Sequence, residues 1–129
     1  LHGRIIQVRS VEQGETVGYT GAWTAKRPSR IAIVGIGYAD GFMRAASGTD
    51  LKPGAEAIIG GHRCPVAGRI SMDLLAIDVT DLRDILPKRG DFATLLGAEI
   101  SVDDLASHAG TIAYEVLTSL GRRYRRVHK

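Results

Sequence analysis

Cysteine is almost missing from this chain. Cys64 stands alone, so no disulfide can form within it, and a reducing compartment such as the cytoplasm suits the composition. A lone thiol of this kind usually packs as a small hydrophobe. Long apolar runs are missing as well. The longest are strand-sized, far short of the ~20 residues that carry a helix across a bilayer, so no membrane partner is expected. No charged-then-apolar leader precedes the first strand, and secretion finds no support. Metal chemistry lacks a framework: His2, His62, His108 and His128 are scattered singly, without the spacing of a zinc site. Asp73, Asp78 and Asp81 lie along an extended segment and its turn, a spacing that suits a solvated face, with a metal as the alternative. Aromatic residues make up 5% of the chain, too few to build the stacking platform that single-stranded nucleic acids use.

What is present describes an ordinary globular chain. Over 129 residues, 44% are hydrophobic and 24% charged, enough for one domain, residues 1–129, with a core of its own. The formal net charge of +3 belongs to one end. Arg122, Arg123, Arg125, Arg126 and Lys129 fall within RRYRRVHK, and without those five the acidic residues outnumber the basic ones. Such a tail could neutralise phosphates. A solvated last strand, or one facing a neighbouring domain, is the reading adopted, and no nucleic-acid partner is expected.

The first two thirds of the chain pattern as β-structure. Gly3 to Val11, Arg30 to Gly37, Ala55 to Ile59, Arg63 to Ile70, Leu74 to Val79 and Phe92 to Leu96 are short, apolar or alternating, and rich in β-branched residues. Gly or Pro punctuates nearly every join, and Pro65 inside one candidate strand marks an edge or a bulge. Two short helices follow. Ser101 is placed to cap the first, with Asp103 and Asp104 at its positive end and Gly110 closing it. Thr111 is expected to cap the second, Ile112 to Leu120, on which Ile112, Val116 and Leu120 share a stripe. The fold class is mainly β, a Greek-key-like barrel or sandwich with two short helices near the C-terminus.

Two glycine-rich segments carry chemistry-bearing side chains. GIGYADG lacks the spacing of a nucleotide-binding loop. It reads as a strand ending in a tight turn that presents Tyr38, with Asp40 capping the short turn after it. GRISMD reads as a strand–turn–strand joint: Arg69 beside the turn, a surface ion pair, and Met72 and Asp73 opening the next strand. Tyr19, in GETVGYTGAWTA, and Tyr114, in GTIAYEVLTSLGRRYRR, complete a set of phenols in glycine-bounded settings. A phenol can donate or take a proton at carbon, but phenols titrate near 10 in water, and bringing one near neutrality needs about 4 kcal/mol of preferential phenolate stabilisation. No complete catalytic constellation surrounds these phenols, which points to one part of a larger active site.

Taken in order, VGYTGAWTA, GIGYADG, GRISMD, SVDDLA and TIAYEVLTSLGRRYRRV resemble the C-terminal domain of alanine racemase across almost the whole chain. The resemblance implies a two-domain enzyme dependent on pyridoxal phosphate. Its N-terminal barrel, which carries the lysine that binds the cofactor, has no counterpart here. It implies interconversion of L- and D-alanine for cell-wall precursor supply, and a homodimer in which this domain meets its own barrel and the second subunit. Tyr19 matches the catalytic tyrosine, one of two bases acting on opposite faces of the substrate, the other being the partner subunit's cofactor lysine. Met72 matches the residue whose backbone N–H holds the substrate carboxylate. Tyr114 matches the tyrosine that bonds the cofactor phosphate. Tyr38, Arg44, Arg69 and Ile112 match positions lining the substrate corridor. Thr20 and Ser71 depart from the pattern, standing where many relatives have Gly and some have Cys. The domain on its own is expected to be inactive. A racemase for serine or another amino acid and a stand-alone β-barrel binding module are the alternatives.

Overall fold

Ile5 and Ile6 are adjacent and chemically alike, yet Ile5 is fully buried and Ile6 exposed. They lie on β1 (His2–Val11), the longest strand, whose register against its neighbour shifts between Ile5 and Gln7. That irregularity resets the inward-outward alternation, so Ile5 points to the main core before it and Val8 packs on that core after it, while Val11 joins a second, smaller cluster with Val17, Ala25 and Ile31. The computed structural model describes all 129 residues. After β1 come a two-residue pair, β2 (Thr16–Val17) and β3 (Trp23–Thr24), then β4 (Ser29–Val34), β5 (Glu56–Ile59), β6 (His62–Pro65), β7 (Leu75–Asp78) and β8 (Phe92–Thr94). Two helices follow, α1 (Val102–Ala109) and α2 (Ala113–Ser119).

Six strands form one antiparallel sheet in the order β6-β5-β8-β1-β4-β7, with β2 and β3 paired separately. β5 and β6 meet through Gly60 and Gly61, both at positive φ, as a two-residue hairpin turn requires. The ladder does not close into a continuous barrel. Its two edge strands are drawn together where Val66, just past β6, forms an isolated bridge with Ile77 of β7. The architecture is therefore the expected mainly β, barrel- or sandwich-like domain. Its enclosed face is filled by Ile5, Val34, Phe42, Ile77, Val79 and Leu95, joined by Leu105 and Ala106 of α1 and Val116 of α2.

The strand expectations hold, with shorter bounds for all but the first, which starts one residue earlier at His2. Arg63 to Ile70 stops at Pro65, which has no N–H for a ladder and sits at the end of an edge strand. The β2–β3 pair has too few residues to leave a periodic trace and was not anticipated. The cap of α1 is as expected: Asp104 N–H donates to Ser101 Oγ at 3.1 Å, and Ser101 N–H to the Asp104 carboxylate at 3.2 Å. That second bond, from the backbone, holds the Asp104 carboxyl below its usual range. Gly110 closes the helix at φ 70. α2 differs. Its N-cap is Ile112, without a side-chain bond, while Thr111 Oγ1 donates to Glu115 Oε1 at 2.7 Å. Only Val116 of the expected stripe is fully buried; Ile112 is exposed.

Candidate active site

Two glycines set the position of Tyr19. Gly18 (φ 82) and Gly68 (φ 86) cross so closely that a Cβ on Gly18 would lie 2.7 Å from the Arg69 backbone N, and one on Gly68 would lie 2.6 Å from the Val17 carbonyl O. No other residue type fits either place. The crossing brings the β2–β3 connection, with its 3-10 turn Tyr19–Gly21, onto the backbone of the GRISMD segment. Tyr19 is 65% exposed at the rim of a cleft of about 320 Å³, which it shares with Arg9, Arg69, Ser71 and Leu74. Thr20 takes φ 60, an uncommon conformation for a β-branched residue. Its Oγ1 accepts a hydrogen bond from Arg69 Nε at 3.2 Å. The far side of the turn is anchored by Asp50, whose carboxylate accepts both the Thr24 N–H (2.9 Å) and the Thr24 hydroxyl (2.8 Å). Those bonds hold the Asp50 carboxyl below its usual range.

Tyr38 and Met72 are neighbours through their backbones. Tyr38 N–H donates to the Ser71 carbonyl and Ala39 N–H to the Met72 carbonyl, both at 2.9 Å. Gly37 permits this approach, since a Cβ there would fall 2.2 Å from Ser71 O and 2.4 Å from Met72 O. Met72 is itself exposed, and its own N–H donates to no group of the chain. Arg69 lines a second groove with Arg44, so the Tyr19 cleft and the Arg44 groove meet at one guanidinium. Tyr114, on the first turn of α2, is 78% exposed, while Val116 of the same helix faces the core. The end of α2 docks on the turn that follows Tyr38: Ser119 Oγ donates to Gly41 O at 2.9 Å, and Gly121 N–H to Asp40 O at 3.0 Å.

The structure thus brings Tyr19 and Arg69 together, Arg44 with Arg69, and Tyr38 with Met72, and exposes Ile112 and Tyr114 on the helix joined to that assembly. Three details differ from the sequence reading. Met72 and Asp73 lie in a turn, and β7 begins only at Leu75, because the Ser71 hydroxyl and N–H both bond the Leu74 carbonyl and close the turn. Asp73 pairs with Arg123 at 3.0 Å. Asp40 bonds backward, accepting the Gly37 N–H at 3.0 Å, and does not cap a following turn. Arg9 was missed altogether: on an exposed strand position it leaves no local mark of belonging to a cleft.

The alanine racemase, C-terminal domain, family matches residues 1–128. The chain belongs to that family. It is similar to an alanine racemase of Acidiphilium cryptum (strain JF-5), 54% identical over 129 residues, covering 100% of this chain and 34% of that protein. An alanine racemase of Methylobacterium sp. (strain 4-46) is 49% identical over 128 residues, covering 99% and 34%. Among solved structures, the biosynthetic alanine racemase of Pseudomonas aeruginosa superposes with a TM-score of 0.90 at 42% identity, covering 100% of this chain and 34% of that one. The alanine racemase of Bartonella henselae, solved with covalently bound pyridoxal phosphate, gives 0.89 at 39% identity, covering 98% and 33%. The chain therefore spans about a third of the length of the alanine racemases it matches.

Proposed function

We propose that the chain acts as the C-terminal domain of a pyridoxal-phosphate-dependent alanine racemase in the cytoplasm, supplying D-alanine for cell-wall precursors, and that Tyr19 serves the active site of the second subunit of a homodimer. The observation that carries this reading is the position of Tyr19. Its backbone is pinned by the Gly18–Gly68 crossing while its phenol stands exposed at the rim of a cleft. A tyrosine that served only packing would not be held outward at that cost in backbone freedom.

The residues present suit a phosphorylated cofactor and an amino-acid substrate. The Tyr114 hydroxyl bonds no other group of the chain and points outward as a donor of the kind a phosphate accepts. The unpartnered Met72 N–H is a donor of the kind a carboxylate accepts. When bound to its lysine in the N-terminal barrel, pyridoxal phosphate would supply an electron sink for the substrate's α-carbon. The chain's own residues then have separate tasks. Met72 orients the substrate by its carboxylate. Tyr19 holds a proton on one face of the α-carbon and exchanges it there, opposite the partner subunit's lysine. Tyr38, Arg44, Arg69 and Ile112 line the way in.

In the full-length protein, Tyr19→Phe should suppress α-proton exchange with solvent deuterium for one alanine enantiomer by roughly 10² to 10⁴, with the other far less affected. Equal, mild losses for both enantiomers would remove Tyr19 from the chemistry.

A further inference from the structure

RRYRRVHK, read from composition as a solvated last strand, is mostly exposed but forms no strand; it has no regular secondary structure. Arg123 behaves differently from the rest. Its Nε lies 3.2 Å from Asp40 Oδ1, and its Nη1 lies 3.0 Å from Asp73 Oδ1. One guanidinium thus bridges two carboxylates that are far apart in the chain and closes the gap between two turns. Asp40 ends the turn that presents Tyr38. Asp73 directly follows Met72. The backbones of the same two turns are already stitched by the Tyr38 and Ala39 N–H bonds to Ser71 and Met72.

The two ion pairs are not of equal weight. Asp73 is exposed, and an exposed pair alone contributes little. Asp40 is 6% exposed, and its other oxygen is occupied by the Gly37 N–H. A carboxylate so enclosed depends on its cation, because losing the partner leaves a buried charge uncompensated. The planar fork of arginine can address both carboxylates in a fixed geometry, whereas a lysine offers a single point charge. Both partners also hold the Arg123 guanidinium above its usual range, the Asp73 hydrogen bond first.

We propose that Arg123 is a positioning residue that locks the Tyr38 turn against the Met72 turn and thereby fixes the direction of the unpartnered Met72 N–H. Its effect on substrate rests on the reading of Met72 as the carboxylate donor; the lock itself rests on the two ion pairs and the backbone bonds they flank. Arg123 touches no reacting atom in this arrangement and acts only through Asp40 and Asp73.

The test compares Arg123→Met and Arg123→Lys with the unaltered full-length protein by two readouts. Hydrogen exchange followed by mass spectrometry should show the amides of Tyr38 and Ala39 exchanging about tenfold faster in Arg123→Met, with those of residues 29–34 unchanged. KM for both alanine enantiomers should rise about tenfold while kcat stays within about threefold, the pattern of lost ground-state binding. Arg123→Lys should recover part of both effects. Unchanged exchange at Tyr38 and Ala39 would overturn the proposal. So would acceleration spread equally over residues 29–34, which marks general destabilisation, or a loss confined to kcat. If the unaltered protein fails to racemise alanine, the reading of the site falls, and the exchange comparison still decides the lock.

Discussion

Between β1, β4 and β7 the chain is held by buried side chains; across the rim that carries Tyr19, Tyr38 and Met72 it is held by backbone pressed on backbone. Ile5, Val34 and Ile77 are fully enclosed and make their case through apolar area removed from water. The rim has almost no such area to offer. Tyr19, Tyr38 and Met72 are all exposed, and what fixes them is the absence of side chains at Gly18, Gly37 and Gly68, together with carboxylates that collect N–H groups. The difference teaches that residues turned away from a domain's own core must be stiffened from behind, as the proposed role of this rim toward a second subunit would require.

The contrast can be tested at both ends. Phe42 follows the Tyr38 turn directly but is fully buried, so it belongs to the core by burial and not by sequence position. Phe42→Ala should cost about 3–5 kcal/mol in urea unfolding. A loss under about 1 kcal/mol would mean that the core closes over the gap and that the division drawn here is too sharp. Gly18→Ala probes the rim. The added methyl meets the Arg69 backbone at 2.7 Å and the residue is held at φ 82, so the cost should be about 1–3 kcal/mol. Susceptibility to a protease cutting near Tyr19 should rise more than the loss of global stability accounts for. An unaltered cleavage rate would show that the crossing yields without releasing the turn.

The smallest effect concerns pH. Burial pushes the Cys64 thiol from an ordinary 9.0 up to about 11, and burial likewise raises the Tyr124 phenol to about 12. Both groups keep their protons in the folded chain after the unfolded chain has released them. Stability is therefore fully present below pH 9 and declines as pH rises toward 11. Thermal unfolding between pH 8 and 11 should show that decline, and Cys64→Ala should flatten its first part. An unchanged slope in the variant would mean that the thiol is more accessible than the structure indicates.

The core was largely legible in the sequence and the rim only in fragments, for a physical reason. Burial imposes a period: strands such as Leu75–Asp78 alternate, and α1 announces itself through Ser101, Asp104 and Gly110. A close approach between distant backbones imposes no period. Gly18 and Gly68 are each an ordinary glycine until the fold crosses them. Tyr19, Tyr38, Met72 and Tyr114 could be singled out because whole motifs around them resemble a known family, not because spacing revealed a cleft. Thr111 illustrates the limit on the helix side. It has the right chemistry for a cap, yet its hydroxyl is taken by Glu115 one turn on, and the helix begins a residue later than expected. Arg123 lay in a charge run where five similar residues compete for attention, and only its two acidic neighbours in space set it apart.

The meeting of Val66 with Ile77 has a bearing on how the domain behaves in concentrated solution. A flat sheet with two long free borders invites a second copy to add itself by main-chain bonding. Here one border ends at a proline and the other is four residues long, and each leans on the other at that single bridge. The fold leaves little template for growth into a fibre.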